Sequence, residues 1–171
     1  FFVPLISGGT VYITSKESLT DPFAILEEIK TVSPTIIQAT PSFYQMLFNA
    51  GWQGDATIKI LCGGDLLNKS LAEKMLANSK EVWNMYGPTE TTIWSSTKRI
   101  LEPKDASNIG KPIHNTQLYI LDKAKNILPE GVAGEIYISG DGLAKGYVKD
   151  QLQTDQKFTA HPFIAGEKIY N

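Results

Sequence analysis

Tyr86, Thr89, Glu90, Thr91 and Thr92 fall within one short segment, Asn84 to Thr92 (NMYGPTETT). An aromatic face can stack on a base. Hydroxyls can reach phosphate oxygens, and a carboxylate is a hard oxygen ligand suited to Mg2+. Gly87-Pro88 forces a turn between these groups and exposes the backbone around it. The same composition also fits a plain strand-end turn with an exposed Thr/Glu cluster. A second candidate is Gly63-Gly64-Asp65, where two glycines allow close backbone approach to a flat ligand; a left-handed turn before a helix would look the same. The third is Gly134 to Tyr147 (GEIYISGDGLAKGY), whose glycines do not match G-x-G-x-x-G and whose Lys145 does not sit in a G-x-x-x-x-G-K-[ST] loop. It reads as a hairpin with a glycine-rich turn.

Other chemistries lack their residues. The chain has no G-x-S-x-G elbow and no H-E-x-x-H pair. His114 and His161 stand apart from any partner at metal-ligand spacing and read as surface or structural histidines. Cys62 lies in an apolar run and reads as a packing residue. Trp83 and Met75 read as core.

The elements that must position these groups alternate. Thr10–Thr14 (TVYIT) has strand composition. Thr20 or Asp21 can cap a helix with Pro22 in its first turn, ended by Pro34. Thr35–Ala39 is a short buried-strand pattern, and Thr40-Pro41-Ser42 opens a helix through Ala50. Ile58–Cys62 reads as a strand, Asn68–Ala77 as a helix and Glu81–Met85 as a strand. Strands alternating with helices imply βαβ units and a parallel sheet, and ligands bind such sheets at the carboxyl edge. That is where Asn84–Thr92 falls. Lys98–Asn108, polar and carrying Pro103, reads as a crossover. Beyond it Gln117–Leu121, Ile136–Ser139 and Tyr147-Val148 are short strands between turns, the texture of antiparallel sheet or barrel. The expected class is α/β: an incomplete parallel-sheet subdomain over residues 1–108, then part of an antiparallel, β-barrel-like subdomain over 109–171.

Composition narrows the classes. The chain has 171 residues and a formal charge of −2. Its apolar share, about 46% with glycine counted and tyrosine left out, suits a packed core. No long basic stretch points to nucleic acid. The longest apolar run, Phe1 to Ile6, contains a proline and is far below the roughly 20 residues that span a bilayer. A single cysteine rules out an internal disulfide and fits a reducing, cytoplasmic setting. The apolar opening at Phe1 and the strand-like Lys168-Ile169-Tyr170 before Asn171 lead us to expect an excerpt from a longer chain.

Taken together, the segments resemble the adenylation domains of nonribosomal peptide synthetases, in the adenylate-forming superfamily that includes acyl-CoA synthetases and luciferases. Asn84–Glu90 (NMYGPTE) is similar to the family's nucleotide motif. Gly134–Phe158 resembles the next motif, with its spaced Thr154 and Phe158, and Pro4–Gly9 (PLISGG) the tail of an earlier one. The Asn and doubled Thr of NMYGPTETT favour the amino-acid-activating branch over the acyl-CoA synthetases. Gln151 stands where a Pro is usual, and Lys145 where Arg is common.

The resemblance implies an enzyme that joins an amino-acid carboxylate to the α-phosphorus of ATP, releases pyrophosphate and loads the acyl group on the phosphopantetheine thiol of a carrier domain. It implies Tyr86 stacked on adenine, Asn84 and the Met85 backbone at the ring's edge, and Gly63 and Gly64 flanking it. Gly87 forms the turn, Thr89 bonds phosphate, and Glu90 holds Mg2+; Thr89 and Glu90 would be the catalytic pair. The family's phosphate loop, ribose-binding Asp and catalytic lysine are not found, so the chain alone is expected to be inactive. It is also expected to expose a sheet edge and to aggregate. The side-chain pocket, placed by motif offset, comprises Gln38, Leu61, Gly63, Met85, Ile93 and Trp94. Three large groups and a glycine wall resemble a glycine-activating pattern. An acyl-CoA synthetase segment and a non-catalytic nucleotide-binding module are the alternatives.

Overall fold

A computed structural model describes residues 2–171. Its helices start where local chemistry says they should. Helix α1 (Phe2–Ile6) is a short opening element. Helix α2 (Pro22–Val32) is capped by Asp21, whose carboxylate accepts from the Phe23 N–H, and closes at Ser33 in the left-handed conformation. Helix α3 (Pro41–Asn49) is capped by Thr40, and α4 (Lys69–Ala77) by Asn68. All three caps satisfy N–H groups that a first helical turn leaves without partners.

Strands β1 (Ile36–Ala39), β2 (Asp55–Gly63) and β3 (Ser79–Tyr86) pair in parallel, in that order. β4 (Ser96–Ile100) runs antiparallel to β3, and β5 (Lys111–Pro112) antiparallel to β4, making five strands. One face of the sheet is covered. Ile60, Cys62, Val82 and Ile100 meet Tyr44 and Leu47 of α3 and Leu71 and Met75 of α4 in a single buried cluster. Each large apolar side chain so buried stabilises the fold by about 1.5–3 kcal/mol. The Tyr44 hydroxyl donates to the Ile37 carbonyl at 2.7 Å, tying α3 to β1.

The second sheet is antiparallel and open, with strands β6 (Thr116–Leu121), β7 (Glu135–Gly140), β8 (Phe158–Ala160) and β9 (Lys168–Tyr170) in the order β6-β7-β9-β8. Helix α5 (Gln151–Lys157), capped by Asp150, leads into β8. The expected α/β architecture is present, with an open sheet in place of a closed barrel. Among the described residues no helix is long and apolar enough to cross a membrane.

Four expectations are corrected. Thr10–Thr14 forms no strand, with Tyr12 and Ile13 exposed. Strand propensity is a fit to a paired, half-buried surface, and here that surface is missing. The Lys98–Asn108 crossover is in part strand β4, whose polar residues obscured a ladder to β3. Tyr147-Val148 forms an isolated bridge between Tyr147 and Asp150 and no strand. Gly134–Tyr147 is no hairpin: β7 pairs with β6 and β9, and the glycine-rich stretch after it runs elsewhere.

Candidate functional site

The pleat of β3 divides its side chains between two faces. Val82 and Asn84 point to the helix-covered side and Trp83 and Met85 to the uncovered one. At the strand's carboxyl end Tyr86, half-buried, borders a cleft of about 350 Å³ with Gly64, Leu67, Asn84, Pro88, Ser107 and Ile109 among its walls. Asn84 is buried, and its Nδ2 donates to the carbonyls of Ala106 and Asn108 at 3.1 and 3.0 Å. It therefore holds the segment that carries Ser107 and Ile109 against the cleft.

After Tyr86 the chain folds tightly back. The Ser95 N–H donates to the Tyr86 carbonyl at 2.7 Å, and the hydroxyls of Thr91 and Ser95 meet at 2.5 Å. A Cβ at Gly87 would lie 2.6 Å from the Ile93 carbonyl and 2.7 Å from the Ser95 nitrogen, so only glycine fits this reversal. Residues Thr89–Thr91 make one 3-10 turn, closed by Thr92 in the left-handed region. Thr89 is exposed and Glu90 half-buried.

Glu90 is not alone. The Tyr147 hydroxyl donates to its Oε1 at 2.5 Å. This bond, with help from Tyr170 and the charge of Lys157, holds the Glu90 carboxyl below its ordinary range, against a smaller opposing effect of burial. The same bond, with burial, pushes the Tyr147 hydroxyl well above its ordinary value. Tyr170 neighbours Glu90, Tyr147 and Tyr86. The aromatic and the acid thus share one edge of the sheet, neither walled off by other side chains. Among the described residues no group of three or more His, Cys, Asp or Glu could hold a metal by itself. A lone carboxylate still suits Mg2+ that arrives on a nucleotide, since that ion takes one or two carboxylates plus phosphates and water.

The uncovered face gathers most of the expected pocket. Gln38, Leu61 and Trp83 stand in register across β1, β2 and β3, and Gly63 pairs with Met85 one step nearer the edge. A Cβ built on Gly63 would lie 2.4 Å from the Met85 carbonyl and 2.6 Å from the Trp94 ring, so the indole rests directly on this glycine. Gln38 is exposed, and Leu61, Met85 and Trp94 are half-buried. Ile93 departs from the set, 62% exposed with a left-handed backbone. Trp83 is not core. It lies half-buried on the same open face, its Nε1 donating to Glu81 at 3.0 Å, and Glu81 also faces Lys59 and Arg99.

Cys62 and Met75 are buried as expected, and burial pushes the Cys62 thiol up to about 12. His114 is exposed; His161 is buried, its Nδ1 accepting from the N–H groups of Phe163 and Ile164. Both fit structural readings. Sequence reasoning missed Tyr147 and Tyr170 at the acid and Ser107 and Ile109 at the cleft. The first two lay inside segments singled out for other reasons, Ser107 lay inside the supposed crossover, and Ile109 just past it.

Comparison with known proteins shows the family. Residues 1–148 match the family described as AMP-binding enzyme. The chain is 39% identical over 171 residues to a dimodular nonribosomal peptide synthase of Bacillus subtilis (strain 168), covering 99% of this chain and 7% of that protein. It is 36% identical over 174 residues to tyrocidine synthase 3 of Brevibacillus parabrevis, covering 99% of this chain and 3% of that one. The chain thus spans a small part of the length of these relatives. A crystal structure of a four-domain nonribosomal peptide synthetase, bound to AMP and glycine, superposes with a TM-score of 0.91 at 40% identity, covering 98% of this chain and 13% of that one. By this family match, these relatives and this superposition, the chain belongs to the AMP-binding enzymes, and its sequence and fold are those of the nonribosomal peptide synthetase adenylation-domain branch.

Proposed function

We infer that the chain serves an amino-acid-activating enzyme that joins an amino-acid carboxylate to the α-phosphorus of ATP, expels pyrophosphate, and passes the acyl group to a carrier-domain thiol. In this reading residues 1–108 form the part that grips nucleotide and amino acid, and 109–171 a β-rich subdomain packed beside it. Tyr86 stacks on the purine in the cleft. Gly63 and Gly64 give the ring close access. Asn84, with Nδ2 engaged by two carbonyls, offers Oδ1 to the base edge beside the Met85 backbone. Thr89 reaches the phosphates, and Glu90 holds Mg2+. That ion, when bound, offsets charge at the α-phosphate. The chain's own residues bind, orient and keep the acid ionised; no covalent nucleophile is needed.

The amino acid proposed is glycine. The observation that carries it is the contact of Trp94 with Gly63. The indole, Met85 and Gln38 stand around a glycine wall that cannot itself take a methyl group, which leaves little room beyond a substrate's α-carbon. The relative that carries glycine with AMP supports the choice. A tight pocket disfavours one added methyl by about 1–3 kcal/mol. The test is ATP–pyrophosphate exchange by the complete synthetase with each proteinogenic amino acid. Glycine is expected to give the highest kcat/KM, with alanine next. A preference for a large aromatic or branched substrate rejects the pocket assignment.

A further inference from the structure

The glycine-rich stretch after β7 has no role in the reading so far. Its glycines match no phosphate-loop pattern, and it does not turn a hairpin. It crosses from the four-stranded sheet to the 3-10 turn that carries Glu90 and is fastened there. The Ala144 N–H donates to the Glu90 carbonyl at 2.8 Å, and the Thr92 hydroxyl donates to the Gly142 carbonyl at 2.6 Å. Gly142 lies so close that a Cβ there would come within 2.9 Å of the Thr91 carbonyl. The crossing ends by delivering Tyr147 to the carboxylate.

Tyr147 is itself held from behind. Its N–H donates to Thr154 Oγ1 at 2.9 Å, and its ring meets Phe158 edge-on at 5.6 Å. Gly146, at φ 142°, allows the approach, since a Cβ there would lie 2.4 Å from the Thr154 side chain. The hydroxyl's place is therefore set by main chain, α5 and β8, independently of Glu90. Nor is that hydroxyl needed to dock the stretch, which the Ala144 and Thr92 bonds already secure. It donates to the side chain to which the cation was assigned, with the Tyr170 hydroxyl beside the pair.

We propose that Tyr147 is a positioning residue for the cation site: its hydroxyl fixes the Glu90 carboxylate through Oε1 and so presents Oε2 to a divalent ion carried by the nucleotide. The inference rests on the reading of Glu90 as the ion's protein ligand. Partners that orient a ligating side chain tune a metal site nearly as strongly as the ligand does.

The test uses the complete synthetase with Mn2+ as probe. Free Mn2+ is followed by electron paramagnetic resonance in the presence of a non-hydrolysable ATP analogue, for the wild type, Glu90→Gln, Tyr147→Phe and Thr92→Ala. Tyr147→Phe should weaken Mn2+ binding about tenfold. Affinity for the analogue without metal should not change, nor should the thermal midpoint, because the ring contact with Phe158 survives. Thr92→Ala loosens the clasp without touching the carboxylate and should weaken Mn2+ in the same direction by less. Should Tyr147→Phe bind Mn2+ like wild type while Glu90→Gln does not, the role of Tyr147 falls and the metal reading stands. Should Glu90→Gln also bind like wild type, the metal reading falls and takes this inference with it. A Thr92→Ala protein as tight as wild type overturns the clasp.

Discussion

Replacing Gly63 with alanine tests the proposed pocket at its tightest point. Gly63 shows no left-handed φ, so alanine can adopt its backbone conformation and the effect comes from crowding by the new methyl. The new methyl would lie 2.4 Å from the Met85 carbonyl and 2.6 Å from two carbons of the Trp94 ring. A carbonyl in a β-ladder yields little, so the indole must move into the space assigned to the substrate. Overpacking of this kind costs about 1–3 kcal/mol. At about 1.4 kcal/mol per decade, kcat/KM for the amino acid should fall roughly fivefold to a hundredfold. The assay is pyrophosphate exchange, with amino acid and ATP varied separately. The double variant Gly63→Ala, Trp94→Ala removes the ring contact and keeps the carbonyl contact, so its loss should be smaller than the sum of the single losses. Additive losses, or a Gly63→Ala enzyme within twofold of wild type, would refute the placement of Trp94 over the glycine.

Three further outcomes follow from single contacts. Cys62, buried and with its thiol pushed up to about 12, should not react with a disulfide reagent at pH 8 until the protein is unfolded; a titratable thiol in the folded state contradicts its burial. Asn84→Ala removes both donors to the Ala106 and Asn108 carbonyls and should lower stability by about 1–3 kcal/mol. It should also raise the KM for ATP and quicken amide exchange over 106–109, and unchanged exchange there would show that Asn84 does not hold that wall. Asp55 is kept below its ordinary 3.8 by the Thr57 hydroxyl and N–H, so its contribution is complete above the unfolded value and is lost as pH falls through the lower folded one. Asp55→Asn should flatten the acid-side slope of stability against pH, and the same slope in both proteins would remove Asp55 from the account.

What could be read in advance was what neighbouring residues decide among themselves. Asp21 before Pro22, Thr40 before Pro41 and Asn68 before an amphipathic run start three helices with bonds that span two or three residues. The apolar runs of β2 and β3 are buried on the covered face whatever pairs beside them. Strand β4 is different. Only Ile100 of its five residues is apolar, and it is a strand because β3 offers it a ladder, which no local pattern announces. TVYIT is the converse, strand-like in composition but without a ladder. The cap of α5 at Asp150 was legible and was passed over, its helix hidden inside a motif quoted for its glycines. Tyr86 and Glu90 were found because they lie only four positions apart. Tyr147 stands 57 residues from Glu90, and its meeting with the carboxylate depends on how a second sheet lies against the first.

That difference in origin bears on how the site works. The Tyr86–Ser95 reversal closes on itself through the Ser95 N–H, the paired hydroxyls of Thr91 and Ser95, and a glycine that tolerates no side chain. The distance between the Tyr86 ring and the acid's backbone is therefore set largely within ten residues of chain, with the Ala144 and Gly142 contacts added from outside. The acid's side chain is another matter, since its orientation is imposed by Tyr147, which α5 and β8 hold. In the proposed reading, purine grip thus belongs to one sheet, and charge handling to the junction of two. On that reading the geometry of the Glu90 carboxylate depends on the four-stranded sheet more directly than the place of the Tyr86 ring does.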